Sequence, residues 1–202
     1  MESTKDRIVN ASAELFRRQG YTGTGLKQIV TAADAPFGSL YHFFPGGKEQ
    51  LAEEVIRRSG EFYLLLEDAI FEPAPDLVTA TRDFFAGAAE TLRSTDYVDA
   101  CPIATVALEV ASTSEPLRQA TADVFESWVA AIARRAREEG ISPKKSRELA
   151  VSVIALLEGA FILCRASRST EPLEIAGATA VAAVESAIST SSGRRRRKKV
   201  AA

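Results

Sequence analysis

His42 is the only histidine in the 202-residue chain. A single imidazole builds neither a histidine-based metal cluster nor a nucleophilic triad, and no Glu-x-x-His run offers a metal site on a helix. The side chains whose types and spacing suggest chemistry are suited to meeting an anion. Lys48 follows Pro45-Gly46-Gly47 and opens a predicted helix. There its charge and the free amides of the helix start can hold a phosphate together; the plain alternative is a solvated surface lysine. Lys27, on a short predicted helix, contacts a phosphate or base edge, or stays a solvated charge. Gly38 and Ser39 are small enough to let a helix approach base edges, and the Ser39 hydroxyl can donate or accept there. They fit a tight helix-packing site equally well. Phe37 either touches a thymine methyl or covers the domain surface. The basic run at 194–199 provides nonspecific DNA attraction by counterion release, or is a solvated end with no task.

These residues sit on elements that Pro and Gly punctuate. Apolar residues recur at helical spacing with no convincing period-two run, which predicts an all-α protein with helices near 4–20, 25–33, 37–43, 48–71, 76–94, 103–112, 115–139, 143–168 and 171–190. Ser3 is placed to cap the first helix, Ile8, Ala11, Leu15 and Phe16 form its buried stripe, and Gly20 stops it. Thr24 is placed to cap the second, with Leu26, Ile29, Val30 and Ala33 inward. A turn at Asp34-Ala35 leads to the third, with Leu40 and Phe44 facing the core. Two short helices joined in this way form a helix-turn-helix, whose second helix enters the major groove.

Charge is unevenly spread. Residues 1–50 carry a net +1, residues 51–193 a net −9 and the run at 194–199 adds +6, so the chain as a whole is at −2. An acidic body with a neutral-to-basic start suits contact with a polyanion at one end. The polar start leads into no signal-like run, and no uninterrupted apolar stretch approaches the ~20 residues a bilayer needs. Cys101 and Cys164 fit free thiols in a reducing compartment. A cytoplasmic protein with no membrane partner is expected, ending in a disordered basic tail at 191–202.

Residues 8–51 resemble the DNA-binding domain of the TetR family. The match rests on Ile8, Ala11, Leu15, Phe16, Gly20-Tyr21, Thr24, Ile29, Ala32-Ala33, the run Gly38-Ser39-Leu40-Tyr41-His42-Phe43-Phe44, and Lys48-Glu49 followed by Leu51. Pro45 to Leu51, Cys101-Pro102-Ile103-Ala104 with Ala107-Leu108-Glu109, and Glu158-Gly159-Ala160 are similar to an LmrA/YxaF-like group within it. Asp34, Phe37 and Gly25 depart from the usual pattern; the fold reading survives this, but the bases read do not carry over, because the resemblance puts Phe37 at a base-reading position. The resemblance implies a three-helix helix-turn-helix domain at 1–47 and a helical effector-binding and dimerisation domain at 48–190. It implies a homodimeric regulator, most simply a repressor, that binds double-stranded operator DNA and answers to a small apolar effector, with no cofactor or metal. The DNA-binding set is then Thr24, Lys27, Phe37, Gly38, Ser39, Tyr41, His42 and Lys48, with Tyr41 and His42 on phosphates. Their plain alternatives are a half-buried packing aromatic and a helix-surface residue.

Phe62, Leu66, Phe84, Phe85, Cys101, Val106, Phe125, Trp128, Ile132, Leu157 and Phe161 supply apolar surface to the C-terminal part. Most such residues are core, and a subset lines a pocket; Phe62, Leu66, Phe85, Cys101, Val106, Phe125, Trp128, Ile132, Leu157 and Phe161 are the ligand-binding candidates. Trp128 leads them, offering a large face and an indole donor. Stripes at Ala155, Leu156, Gly159, Ala160, Leu163 and at Ala176, Ala180, Val184, Ala187, Ile188 permit close helix approach. The resemblance makes them a four-helix dimer interface; an intramolecular core pair is the alternative. An all-α enzyme, or a ligand-binding protein without DNA activity, is the competing class, and the chain offers it no acid–base or nucleophile constellation.

Overall fold

The computed structural model describes residues 2–98 and 101–200, with side chains through residue 191. Nine α-helices and no strand occur among them: α1 Thr4–Gln19, α2 Leu26–Ala32, α3 Phe37–Phe43, α4 Gly47–Phe71, α5 Leu77–Ser94, α6 Pro102–Val110, α7 Glu115–Glu138, α8 Pro143–Ser167 and α9 Glu171–Val200. The all-α reading stands. The last helix runs on through 191–200, where sequence composition suggested a disordered tail; Arg and Lys are themselves good helix formers. By contacts the chain forms two compact units, Met1–Tyr63 with Asp99–Phe125, and Leu64–Val98 with Glu126–Ala202. By contacts the division falls inside α4 and α7, because the unit that holds the first three helices also includes α6.

In the first unit, the Ser3 hydroxyl accepts the Asp6 amide at 3.1 Å and caps α1, and Gly20 ends the helix at φ 78°. Burial falls on Ile8, Val9, Ser12 and Phe16, with Ala11 and Leu15 only half-buried. Ile8, Phe16, Ile29, Leu40, Phe44 and Leu51 form the innermost layer. Arg7 ties α1 to the α2–α3 turn, donating from Nε to the Ala33 carbonyl at 2.9 Å and from Nη2 to the Asp34 carbonyl at 3.0 Å. Asp34 takes the left-handed conformation, φ 46°, which a short polar side chain tolerates. Further along, α4 meets α7 at Gly60, where a Cβ would lie 2.5 Å from a Val124 methyl.

In the second unit, Asp76 caps α5 by accepting the Thr79 amide at 2.7 Å. The α9 residues Ala176, Ala180, Val184 and Ala187 are buried, and α9 packs against both α5 and α8. That stripe therefore belongs to the core of its own subunit, which corrects the expectation that it forms a dimer interface. Small side chains let the helices approach closely: a Cβ on Gly177 would stand 2.9 Å from Phe85. By length and apolar composition α8 and α9 could each cross a bilayer, although charged and polar residues interrupt their apolar runs. Here they bury Leu149, Val153, Leu157, Cys164, Leu173 and Val184 within the unit. Both cysteines are buried and neither is in a disulfide among the described residues.

Glu67 of α4 is a buried carboxyl. Desolvation first, then the neighbouring Asp68 charge, push its pKa from the ordinary 4.5 up to about 8, against the pull of Arg134. Between those values the folded protein holds a proton that the unfolded chain has released. Its contribution to stability therefore declines as pH rises through that window, by up to ~1.4 kcal/mol per pH unit. Glu67→Gln should flatten this slope and stabilise the protein near pH 8, as read by urea unfolding at pH 5.5 and 8. An unchanged slope in the variant would assign it to other groups.

Candidate nucleic-acid interface

α3 is seven residues long and anchored by Leu40, which is fully buried, while Phe44 closes it by donating its amide to the Leu40 carbonyl at 2.7 Å. With that side fixed, Phe37, Gly38, Tyr41 and His42 are turned to solvent and Ser39 is half-buried. The outward row is one chemical surface. Phe37 and Tyr41 meet edge to face at 5.9 Å between ring centroids, and His42 meets Phe43 in the same way at 4.9 Å. A Cβ built on Gly38 meets nothing within 4 Å. The helix-packing explanation for this glycine is thereby removed, and the space it leaves faces outward. Tyr41 reaches back over the α3–α4 turn, its Cε1 3.7 Å from where a Cβ on Gly47 would stand.

Two expected residues sit differently. Thr24 is buried and its hydroxyl donates to the Gly20 carbonyl at 2.7 Å. It neither caps α2, where Gly25 holds the N-cap position without a side-chain bond, nor presents itself to a partner. Its short hydroxyl is satisfied locally, which is the usual competing use of threonine near a helix end. Lys48 is half-buried rather than extended, with Nζ 4.3 Å from the centre of the Tyr21 ring. Burial lowers its pKa and the Glu109 carboxylate opposes that shift. Tyr21 in turn has its pKa raised by burial and by Glu49. The start of α4 is also less open than expected: the Gly46 amide donates to Gln50 Oε1 and the Gly47 amide to the Phe44 carbonyl, both at 2.8 Å. Lys27 is exposed on α2 as anticipated.

A buried two-helix anchor that presents a short second helix is the arrangement that places side chains in a major groove. Residues 8–55 match the family model of bacterial regulatory proteins of the tetR family, and residues 78–179 that of the LmrA/YxaF-like transcriptional regulator C-terminal domain. The HTH-type transcriptional regulator YxaF of Bacillus subtilis is 35% identical over 84% of this chain and 89% of its own length. The chain belongs to the TetR family of transcriptional regulators. LmrA of the same organism is 32% identical over 84% of this chain and 90% of that protein. The regulatory protein TetR from Rhodobacter sphaeroides shares the fold, with a TM-score of 0.80 at 23% identity over 88% of this chain and 96% of that one. Like its relatives, this TetR-family protein is a regulator with a DNA-binding helix-turn-helix and not an enzyme.

Of the positions expected to line an effector pocket, Phe62, Cys101, Val106 and Phe125 lie in the first unit, and Leu66, Phe85, Trp128, Ile132, Leu157 and Phe161 in the second. Phe62 and Leu66 are exposed, 62% and 46%. They sit on an outward face of α4, which apolar residue type alone does not reveal. Cys101 has another role: its Sγ accepts the Ala104 amide at 3.4 Å and caps α6, with Pro102 in the first turn. Glu109, the only charged residue of α6, stands outside the expected set, yet its carboxylate acts on Lys48.

Gly38→Ala separates fold from function in this TetR-family protein. Replacing a first-turn helical glycine where the Cβ meets nothing should raise stability, by up to about 0.5–1 kcal/mol. On DNA the same methyl occupies the space needed for close approach, so affinity should fall about tenfold or more, the cost of one steric misfit. Thermal melts and gel shifts on one preparation check both arms, and undiminished binding would take Gly38 away from the contact surface.

Proposed function

We propose that this TetR-family protein is a cytoplasmic repressor that binds a two-fold related operator as a homodimer and is controlled by a small apolar effector. The observation that carries the DNA half is the outward row Phe37, Gly38, Tyr41 and His42 on a helix pinned by Leu40. Tyr41 and Lys48 serve as phosphate anchors, and Phe37, Gly38 and Ser39 meet base edges. Repression needs no further activity, since a dimer seated on operator DNA excludes other proteins from it.

Dimerisation is supported by the outer face of α8. Val151, Ile162 and Leu163 are large apolar side chains exposed there, as is Ile175 on α9, and Ala155 and Gly159 are exposed beside them. Apolar residues left exposed along one helix at spacings of three and four are the kind of surface that a partner covers. Like surfaces meeting about a two-fold axis give an isologous four-helix contact. The effector reading rests on the family resemblance and names Trp128, Ile132 and Leu157, which are buried in the second unit, as its first candidates.

Three variants test the reading. A Cβ on Gly159 meets nothing within 4 Å, so Gly159→Trp leaves the subunit folded and should halve the mass in light scattering. A variant that stays dimeric would move the interface elsewhere. Lys48→Ala should make the slope of log K against log salt shallower by about 1.8 per dimer, at ~0.9 per lost phosphate contact, for specific and random duplexes alike. Tyr41→Phe weakens binding with the slope retained. An altered base preference in Lys48→Ala with its slope intact would make Lys48 a reader of bases.

A further inference from the structure

Glu109 is the only ionisable residue of α6, and its carboxylate is spent on backbone. Oε1 accepts the Tyr21 amide at 3.1 Å and Oε2 accepts the Thr22 amide at 2.6 Å. Both amides belong to the turn between α1 and α2, and hydrogen bonds to an ionised acceptor are about twice as strong as neutral ones. The turn has the shape to receive this group. Gly20 reverses the chain at φ 78°, and a Cβ at Gly20 would lie 2.0 Å from Glu109 Oε1, a separation no side chain occupies. The residue so held, Tyr21, carries the Lys48 ammonium over its ring at 4.3 Å. A few residues on, Ser114 donates to Glu49 Oε1 at 2.5 Å, so the chain leaving α6 also holds the first turn of α4.

We propose that Glu109 is a positioning residue for DNA binding: by gripping the Tyr21 and Thr22 amides it fixes the α1–α2 turn and, through the Tyr21 ring, the place of Lys48. Glu109 itself touches no DNA. This rests on the DNA-binding reading above and adds to it a group outside the helix-turn-helix on which that binding depends. Charge and position predict opposite signs. A carboxylate beside a phosphate-binding lysine repels the DNA backbone, so by charge alone its removal tightens binding. If Glu109 positions the turn, its removal leaves Tyr21 and Lys48 to be ordered at the moment of binding, and affinity falls.

The test uses the full chain, a duplex selected by the wild-type protein from a random library, and an unselected duplex. In Glu109→Ala, amide exchange at Tyr21 and Thr22 should accelerate at least about tenfold while other amides of that unit keep their rates, and affinity for the selected duplex should drop by about tenfold, the scale of one lost charge-assisted hydrogen bond. The near-isosteric Glu109→Gln, with one amide oxygen to offer, should fall between. It also guards against a general loss of fold, which would speed every amide together. Equal or tighter binding by both variants overturns the proposal, and so does unchanged exchange at the two amides. A wild-type protein that selects no duplex overturns the DNA-binding reading and the proposal with it. A selected duplex that the variants bind undiminished overturns the proposal alone.

Discussion

A helix of seven residues makes too few internal hydrogen bonds to persist in water, because the cost of fixing its first turn is not recovered over so short a length. α3 therefore exists as a helix only while Leu40 and the following Phe44 are buried in the core that also holds Ile8, Phe16 and Ile29. That packing sets the direction of every outward residue, since in a helix the choice of one inner face determines the outer one. The surface of Phe37, Gly38, Tyr41 and His42 is a consequence of the core beneath it. The turn at Asp34 and the two hydrogen bonds from Arg7 serve the same constraint, holding α2 and α3 at one angle.

The polar contacts of the first unit extend this order to the turns. Lys48 lies over the Tyr21 ring, Tyr21 is held by its amide to Glu109, and Glu49 is met by Ser114. None of these side chains is fully buried, so the desolvation that makes deep ion pairs costly is modest here. Lys48 keeps enough exposure to meet a phosphate while its position is restricted in advance. Restriction before binding lowers the ordering cost that any complex must meet.

The second unit applies close packing with small residues. Ala176, Ala180 and Ala187 are buried on the inner side of α9, and Gly177 lets Phe85 come within contact. The apolar residues left outside, Val151, Ile162, Leu163 and Ile175, lie on the faces that the intramolecular packing does not use. A stripe of small residues in the sequence marked that these helices pack closely. It did not mark which partner each stripe meets.

Helix number and approximate ends were legible in the sequence because they depend on local chemistry. Ser3 and Asp76 cap, Gly20 reverses the chain, Pro102 and Pro143 sit in first turns, and apolar spacing of three and four marks inner faces. The run from Gly38 to Phe44 with Lys48-Glu49 was enough to place the chain in its family. Other features needed the folded chain. Thr24 and Phe62 look like surface and pocket residues by type, yet one is buried against a carbonyl and the other open to solvent. Glu109 stands 88 residues from Tyr21 along the chain and within hydrogen-bonding distance of it in space. Local propensity and periodicity act over a few residues, so they determine the helices. Which faces meet, and which charges fall beside one another, is decided by burial summed over the whole unit, and that is a property of the tertiary structure alone.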